Sequence, residues 1–308
     1  GAIPVFVDIE PRSFNMNPAL IEGAISSVTR AILCVHQMGM PCDMPAILDV
    51  GRRYGLPVIE DAACAIGSEI LVNDRWERIG KPHGDIACFS FHPRKVITTG
   101  DGGMLTTSRP EWDKQFRLWR QHGMGVSDTL RHKAHSVVFE DYATLGYNYR
   151  MTDIQAAVGR EQLKRLPQIV ARRRELAERY HDRLSAIEGV TLPEEPAFAR
   201  TNWQSYCVRL PPECDQRETM QKMLDAGVST RRGIMNTHRE PAYASQPWRC
   251  EHSAAGGEFS AARGCAELVE SELAQDRCIL LPLYHTMTEV EQDHVIAALA
   301  SACLAGSE

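Results

Sequence analysis

The sequence lacks the features that mark several classes of protein. Its ten cysteines include no CxxC pair and no Cys/His cluster, so the ligand spacing of a zinc site is absent. No apolar run reaches the roughly 18 residues that a membrane span needs. The formal net charge of -6 is opposite to the basic excess of nucleic-acid-binding domains. We therefore expect a globular cytoplasmic protein with reduced, mostly buried thiols, no metal, and neither a nucleic-acid nor a membrane partner.

What the sequence does contain is an alternation of short apolar runs and amphipathic segments. The predicted strands are residues 3–9, 31–35, 56–59, 86–91 and 104–107. Asp43 is predicted to cap a helix through Tyr54 that Gly55 ends, and Asn17 is predicted to begin an earlier helix. This alternation predicts an α/β fold with a mainly parallel sheet covered by helices on both faces.

Polar residues follow several of the predicted strands. His36, Asp61 and His92 each come just after the apolar run of a strand. Ligands bind parallel sheets at the carboxyl ends of the strands, so these residues predict a site at that edge. Asp61 has three possible roles at this stage: it can hold a metal, cap a following helix, or pair with a cation.

The stretch 84–103 is the most informative part of the chain. It contains a strand-like run, a polar turn with Lys95, and a Gly-rich segment that leads into a second strand. An arbitrary lysine in a loop is a surface residue, but lysine is also the side chain that forms Schiff bases with carbonyl compounds, including pyridoxal phosphate. Ser90 offers a hydroxyl suited to a phosphate oxygen.

The segment FSFHPRKVITTGDGGM closely resembles the lysine segment of the pyridoxal-phosphate-dependent sugar aminotransferases of the DegT/StrS type. The segments VIEDAA, at 58–63, and LGYNYRMTDIQAA, at 145–157, resemble two further parts of that family, and the resemblance extends from Gly1 to about residue 300. It implies a fold-type I large domain at 1–165, incomplete at its N-terminus. A connecting helix and a small α/β C-terminal domain are expected at 166–308.

The resemblance also implies roles for individual residues. Lys95 is expected to carry the internal aldimine and to act as general base, and Asp61 to meet the pyridine nitrogen of the cofactor. Ser90 is expected near the cofactor phosphate. Asn148, otherwise a turn residue, is expected to reach across a homodimer interface to the partner's cofactor phosphate. Candidate substrate residues are His36, His92, Arg232 and His238.

The implied reaction moves an amino group from an amino acid, most often glutamate, to a keto-sugar that is commonly nucleotide-linked. Such reactions serve amino-sugar, polysaccharide or secondary-metabolite biosynthesis. A lysine at position 95 disfavours the family's dehydratase branch, in which histidine replaces it. Many members have glutamine near the cofactor's ring oxygen where this chain has Cys64.

The alternative is a truncated, non-catalytic family member that acts as a partner or regulator, or has no function. The family's Ser-Gly-Thr phosphate loop and its stacking aromatic residue precede the position that matches Gly1. We therefore expect the chain beginning at Gly1 to bind pyridoxal phosphate weakly on its own.

Further predictions concern the part of the chain after residue 120. Pro167 is predicted to interrupt a helix that begins with a Thr152/Gln155 capping box, and Arg172–Arg174 to form a solvated face. His122, His132 and His135 suggest either a metal site or, more simply, a solvated loop. The second domain is predicted to contain a strand at 205–210, a helix at 216–226 and a last helix capped by Thr288 and Glu291.

Overall fold

The computed structural model describes residues 1–126, 135–243, 246–250 and 268–304, so His132 lies outside the described residues. The longer helices are α1 (Met44–Tyr54), α2 (Pro110–Trp119), α3 (Asp153–Leu184), α4 (Gln216–Asp225), α5 (Val269–Arg277) and α6 (Glu289–Leu304). The strands are β1 (Val5–Phe6), β2 (Ile32–Val35), β3 (Val58–Asp61), β4 (Glu69–Val72), β5 (Arg75–Arg78), β6 (Ile86–Ser90), β7 (Gly103–Thr106), β8 (Ala199–Arg200), β9 (Tyr206–Arg209), β10 (Arg231–Arg232), β11 (Arg249–Cys250) and β12 (Cys278–Leu281).

The central sheet has the strand order β2-β3-β6-β7. β2, β3 and β6 run parallel, and β7 is antiparallel to β6, which confirms the predicted α/β fold with a mainly parallel sheet. One face packs against α1, and Cys34, Val58, Ala87 and Ile47 lie in the shared core. α1 begins and ends as predicted, because Asp43 Oδ1 accepts a hydrogen bond from Ala46 N, and Gly55 adopts a φ of 65°.

The other face of β2 is not covered within the part of the chain that the structure describes. Side chains alternate along a strand, and the ones opposite α1 on β2 are Leu33 and Val35. Their exposed fractions are 57% and 36%. Among the described residues, the predicted helical cover is thus present on the α1 face of this strand.

The N-terminal segment does not form the predicted strand of the central sheet. Only Val5 and Phe6 are in strand conformation, and they pair with β11 instead. The carboxylate of Asp8 accepts hydrogen bonds from the backbone amides of Glu270 and Ser271, at 2.9 and 2.8 Å, at the start of α5. The helix predicted after Asn17 is also wrong, because two short 3₁₀ turns take its place.

α3 is a single helix of 32 residues that runs through Pro167. The predicted capping box at Thr152 and Gln155 is present, but the predicted interruption is wrong. Proline removes one backbone hydrogen bond and forces a steric adjustment. The buried stripe on both sides of it, with Leu166, Ile169 and Tyr180 among its members, holds the helix together.

The C-terminal part of the chain has its own core. β10, β12 and β9 form an antiparallel sheet, and Tyr206 and Ile279 on this sheet pack with Tyr180 of α3 and Leu299 of α6. The residues around Leu166 instead pack against the Lys95 segment. Because α3 contributes to both cores, the domain boundary at 165/166 stays a prediction.

The described cysteines are mostly free and buried, as predicted, but one of them forms a disulfide. Eight are free thiols, of which Cys64 and Cys88 are partly exposed, whereas Cys250 is disulfide-bonded. No cluster of possible metal ligands occurs among the described residues, which include His122 and His135. No helix in the same ranges combines the length and apolarity of a membrane span.

Candidate active site

Strand register places Asp61 and Ser90 on the same face of the central sheet. Asp61 pairs with Cys88 across the parallel β3/β6 ladder, and Ser90 lies two residues further along β6. Residues two apart on a strand point to the same side. Both polar side chains therefore lie at the carboxyl edge of the sheet, on the face opposite α1.

Lys95 lies in the turn that follows β6. Its backbone amide donates to His92 O at 2.9 Å, and the next two residues, Val96 and Ile97, are buried against Leu166 and neighbouring residues of α3. The half-buried amine donates a hydrogen bond to Cys64 Sγ at 3.1 Å. Since Cys64 lies three residues after Asp61, this contact brings the lysine to the turn that follows the aspartate.

One oxygen of the Asp61 carboxylate accepts a hydrogen bond from the backbone, and the other can accept one from a ligand. Oδ1 accepts a hydrogen bond from Ala63 N at 3.0 Å, so Asp61 caps a turn rather than the helix considered as an alternative. Oδ2 has no hydrogen-bond partner among the described residues. Burial, followed by the negative charge of Asp61, raises the pKa of the neighbouring Cys88 thiol.

Ser90 and His92 form a local turn beside these residues. His92 N donates to Ser90 Oγ at 3.3 Å, and Arg94 N donates to His92 Nδ1 at 3.2 Å. The hydroxyl proton of Ser90 is not used in these contacts and is available to an acceptor. The structure thus brings Asp61, Ser90 and Lys95 together, with His92 adjacent.

His36 does not join this group, because it is fully buried on the opposite face of the sheet. Its ring accepts a hydrogen bond from Cys42 N at Nδ1, so Nε2 carries the proton and donates to Glu60 Oε2 at 3.0 Å. Glu60 Oε1 accepts from Gly84 N. Burial without solvent access contradicts the prediction that His36 contacts substrate, and its role is to join β2, β3 and the start of β6.

The two candidate substrate residues of the C-terminal part lie elsewhere. His238 is buried, is hydrogen-bonded to Glu272 at 2.9 Å, and its ring lies beside Phe6 and Trp248. This burial contradicts a substrate role for His238 as well. Arg232 is exposed and pairs with Glu240 at 3.0 Å. None of its described hydrogen bonds or ion pairs reaches the Lys95 segment, so its role stays a prediction.

Asn148 lies on an exposed segment that pairs with the end of α2. It forms a bridge with Gln121, and its side chain makes no hydrogen bond to any described residue. The flanking Tyr147 and Tyr149 rings stack with centroids 5.1 Å apart. The structure does not bring Asn148 into contact with Lys95 of the same chain, and its predicted role toward a partner subunit stays a prediction.

The predicted solvated face of Arg172–Arg174 is wrong. Arg173 is buried and donates to the backbone carbonyls of Trp203, Gln204 and Leu283, while Arg174 donates to Thr201 and Arg200 O. Burial lowers the pKa of Arg173 to about 10. The sequence signal for the burial of Arg173 is its position four residues after Ile169 and seven after Leu166. This spacing places Arg173 on the apolar stripe of the helix.

Sequence reasoning also missed Asn202, which holds the turn after Asp61. Its Nδ2 donates to Cys64 O at 2.8 Å and to Ile66 O at 2.9 Å, and the residue is fully buried. Gly39 adopts a φ of 94° and passes so close that any Cβ there would overlap Asn202 Oδ1. No pattern within 201–205 marks this asparagine, because its partners are more than 130 residues earlier in the chain.

Replacement of Asn202 by alanine should lower the free energy of unfolding by about 2 to 4 kcal/mol, because it removes a buried amide and leaves two partly buried carbonyls without donors. Urea denaturation followed by circular dichroism measures this change. Gln168, an exposed amide on α3, provides the control. Gln168→Ala should change stability by less than about 0.5 kcal/mol, and an equally small effect of Asn202→Ala would contradict the assigned role.

Solved aminotransferases share this fold. The solved aminotransferase TlmJ from Streptoalloteichus hindustanus superposes with a TM-score of 0.83 at 29% identity, covering 100% of this chain and 75% of that one. DesV from S. venezuelae, solved with a ketimine intermediate, gives a TM-score of 0.82 at 29% identity, covering 100% and 73%. The fold is thus that of the sugar aminotransferase enzymes that depend on pyridoxal phosphate.

The model of the DegT/DnrJ/EryC1/StrS aminotransferase family matches residues 1–300. GDP-perosamine synthase of Caulobacter vibrioides is 37% identical over 302 residues, which are 97% of this chain and 73% of that protein. The chain belongs to the DegT/DnrJ/EryC1/StrS aminotransferase family.

The site residues fit pyridoxal phosphate. Lys95 offers a half-buried amine, and Asp61 offers a carboxylate oxygen without another partner in the described ranges. Ser90 offers a hydroxyl on the same face as Asp61. The amine can react with the cofactor aldehyde, and the carboxylate can pair with the protonated ring nitrogen. The hydroxyl can donate a hydrogen bond to the phosphate.

Proposed function

We propose that this chain transfers an amino group from an amino-acid donor, glutamate being preferred, to a nucleotide-linked keto-sugar in amino-sugar biosynthesis. The observation that carries the proposal is the contact that joins the Lys95 turn to the turn after Asp61, at the carboxyl edge of the sheet. The name of the relative GDP-perosamine synthase supports a nucleotide-linked sugar. Eight of the nine described cysteines are free, against one that is disulfide-bonded, and this majority supports a cytoplasmic location.

Pyridoxal phosphate, when bound, supplies the electron sink that stabilises a carbanion. Lys95 would hold the cofactor at its aldehyde through Nζ and, once free, would move a proton at the substrate carbon. Asp61 Oδ2 holds a proton at the pyridine nitrogen, since a nearby negative charge favours the charged form. Ser90 orients the cofactor by donating its hydroxyl proton to the phosphate.

We also propose a homodimer in which Asn148 acts in the partner's site. The segment 137–154 exposes several large apolar side chains: Val137, Phe139, Leu145, Tyr149 and Ile154. Phe139 and Leu145 have exposed fractions of 87% and 90%. Apolar residues exposed in such number support a contact with another chain, and a two-fold symmetric copy is the commonest such partner.

The shared site predicts complementation between two inactive variants. A mixture of Lys95→Ala and Asn148→Ala chains forms hybrid dimers in which one site has both residues. After random exchange, activity should recover to about a quarter of the wild-type level. An amino-donor half-reaction, followed by cofactor absorbance, measures the recovery.

The matched control is a chain with both substitutions, mixed with wild type. Each site of that hybrid lacks one of the two residues, so a shared site predicts that activity per wild-type chain falls. If subunit exchange is demonstrated by mass spectrometry and neither change occurs, the site is not shared.

A further inference from the structure

Two nucleophilic side chains touch each other in the candidate site. The amine of Lys95 and the thiol of Cys64 are 3.1 Å apart, and both residues are half-buried, so small solutes can reach them. The proposed reaction assigns a role to Lys95 but none to Cys64. A thiol in hydrogen-bond contact with an amine therefore needs its own explanation.

One segment of the chain holds both partners in place. Asn202 fixes the turn of Cys64 through two backbone carbonyls, and Gln204 donates to Arg94 O at 3.2 Å, next to Lys95. Arg173 in turn holds the carbonyls of Trp203 and Gln204. The sulfur and nitrogen are thus kept together by a hydrogen-bond network that does not include either of these two atoms.

The other free thiols of the described residues are less suited to react with a solute. Six are buried, and the second partly exposed thiol is Cys88. Burial and the charges of Asp61 and Glu60 raise the pKa of Cys88, which lowers its content of the nucleophilic thiolate. Among the described residues, Cys88 makes no hydrogen bond with an amine, so it serves as the comparison thiol for Cys64.

We propose that Cys64 is a peroxide-sensitive modification site and that its oxidation ends in a covalent sulfur–nitrogen bond with Lys95. In the first step, the Cys64 thiolate attacks hydrogen peroxide, an S–O bond forms, the O–O bond breaks, and the leaving hydroxide takes a proton to give water. In the second, the unprotonated Lys95 amine attacks that sulfur, an S–N bond forms, and the S–O bond breaks with loss of another water. Sulfur is oxidised by two electrons and the peroxide is reduced.

A small thiol reverses the modification. Its sulfur attacks Cys64, the S–N bond breaks, and nitrogen takes the proton to restore the lysine amine. A second thiol then exchanges with the mixed disulfide and restores the Cys64 thiol. Where Lys95 binds pyridoxal phosphate, which rests on the proposed function, the modified chain cannot bind the cofactor covalently until it is reduced.

The experiment treats the full chain with a small excess of hydrogen peroxide, blocks the remaining thiols with N-ethylmaleimide, and maps digested peptides by mass spectrometry. The expected product joins the peptides of Cys64 and Lys95 at a mass lower by two hydrogen atoms, and dithiothreitol should remove it. Chain loaded with pyridoxal phosphate should form much less of it. Sulfinic or sulfonic acid at Cys64 with a free Lys95 peptide would overturn the proposal.

Three variants test which residues form the link. Cys64→Ser should abolish the linked peptide, and Cys88→Ser should leave its yield unchanged. Lys95→Arg keeps a cation but lacks the amine, so Cys64 should then accumulate as a sulfenic acid that dimedone traps. A linked product that persists in Cys64→Ser, or is lost in Cys88→Ser, would overturn the assignment. Because the link is read by mass without cofactor, its absence does not bear on transamination.

Discussion

Replacement of Lys95 by alanine should abolish covalent cofactor binding and slow the amino-donor half-reaction by about 10³-fold or more, because the residue proposed as both attachment point and proton carrier is lost. The geometry behind this expectation is the half-buried amine at the turn after β6, next to the turn that follows Asp61. The measurement is a stopped-flow half-reaction with glutamate and chain saturated with pyridoxal phosphate.

Two lysine substitutions serve as controls for this experiment. Lys81→Ala removes an exposed lysine that pairs with Glu77 and should leave the rate unchanged. Lys95→Arg keeps the positive charge but not the nucleophile, and should be as slow as Lys95→Ala. A fast half-reaction with either Lys95 variant would contradict the role of this residue.

Replacement of Asp61 by asparagine should lower turnover by about 10²-fold or more while the fold is retained. Asparagine keeps an oxygen that can accept the hydrogen bond from Ala63 N, so the turn stays capped. What the substitution removes is the negative charge at Oδ2, which we propose keeps the pyridine nitrogen protonated. Steady-state transamination, compared at equal cofactor occupancy, measures the effect.

The control for Asp61→Asn is Asp49→Asn, which removes an exposed carboxylate of α1 that pairs with Arg52 and Arg53. It should leave turnover unchanged, and thermal unfolding should show that both variants are folded. Near wild-type transamination by Asp61→Asn would mean that Asp61 is only a turn cap.

The parts of the fold that depend on local signals could be predicted from the sequence. α1 was predicted from its Asp43 cap and Gly55 end, and α3 and α6 from their capping boxes, because each signal lies within a few residues of the helix end. The family resemblance then supplied the expectation for Lys95 and Asp61, which the strand order places at one edge.

The failures depend on long-range packing. His36 comes just after β2, much as Asp61 comes at the end of β3. The register pairs Cys34 with Glu60, and His36 lies two residues after Cys34 on the same face, so it is buried beside Glu60. β1 has the right alternation, yet its pairing partner lies more than 200 residues later. Which face is buried and which strands pair are decided by distant parts of the chain.

The most direct test of the account is to trap the cofactor on the protein. The chain is incubated with pyridoxal phosphate, reduced with borohydride and digested, and the modified peptide is sequenced by mass spectrometry. We expect a single reduced cofactor adduct on Lys95, which an amino donor added before borohydride should diminish. Labelling of Lys81, Lys114 or another lysine in place of Lys95 would contradict the role proposed for Lys95.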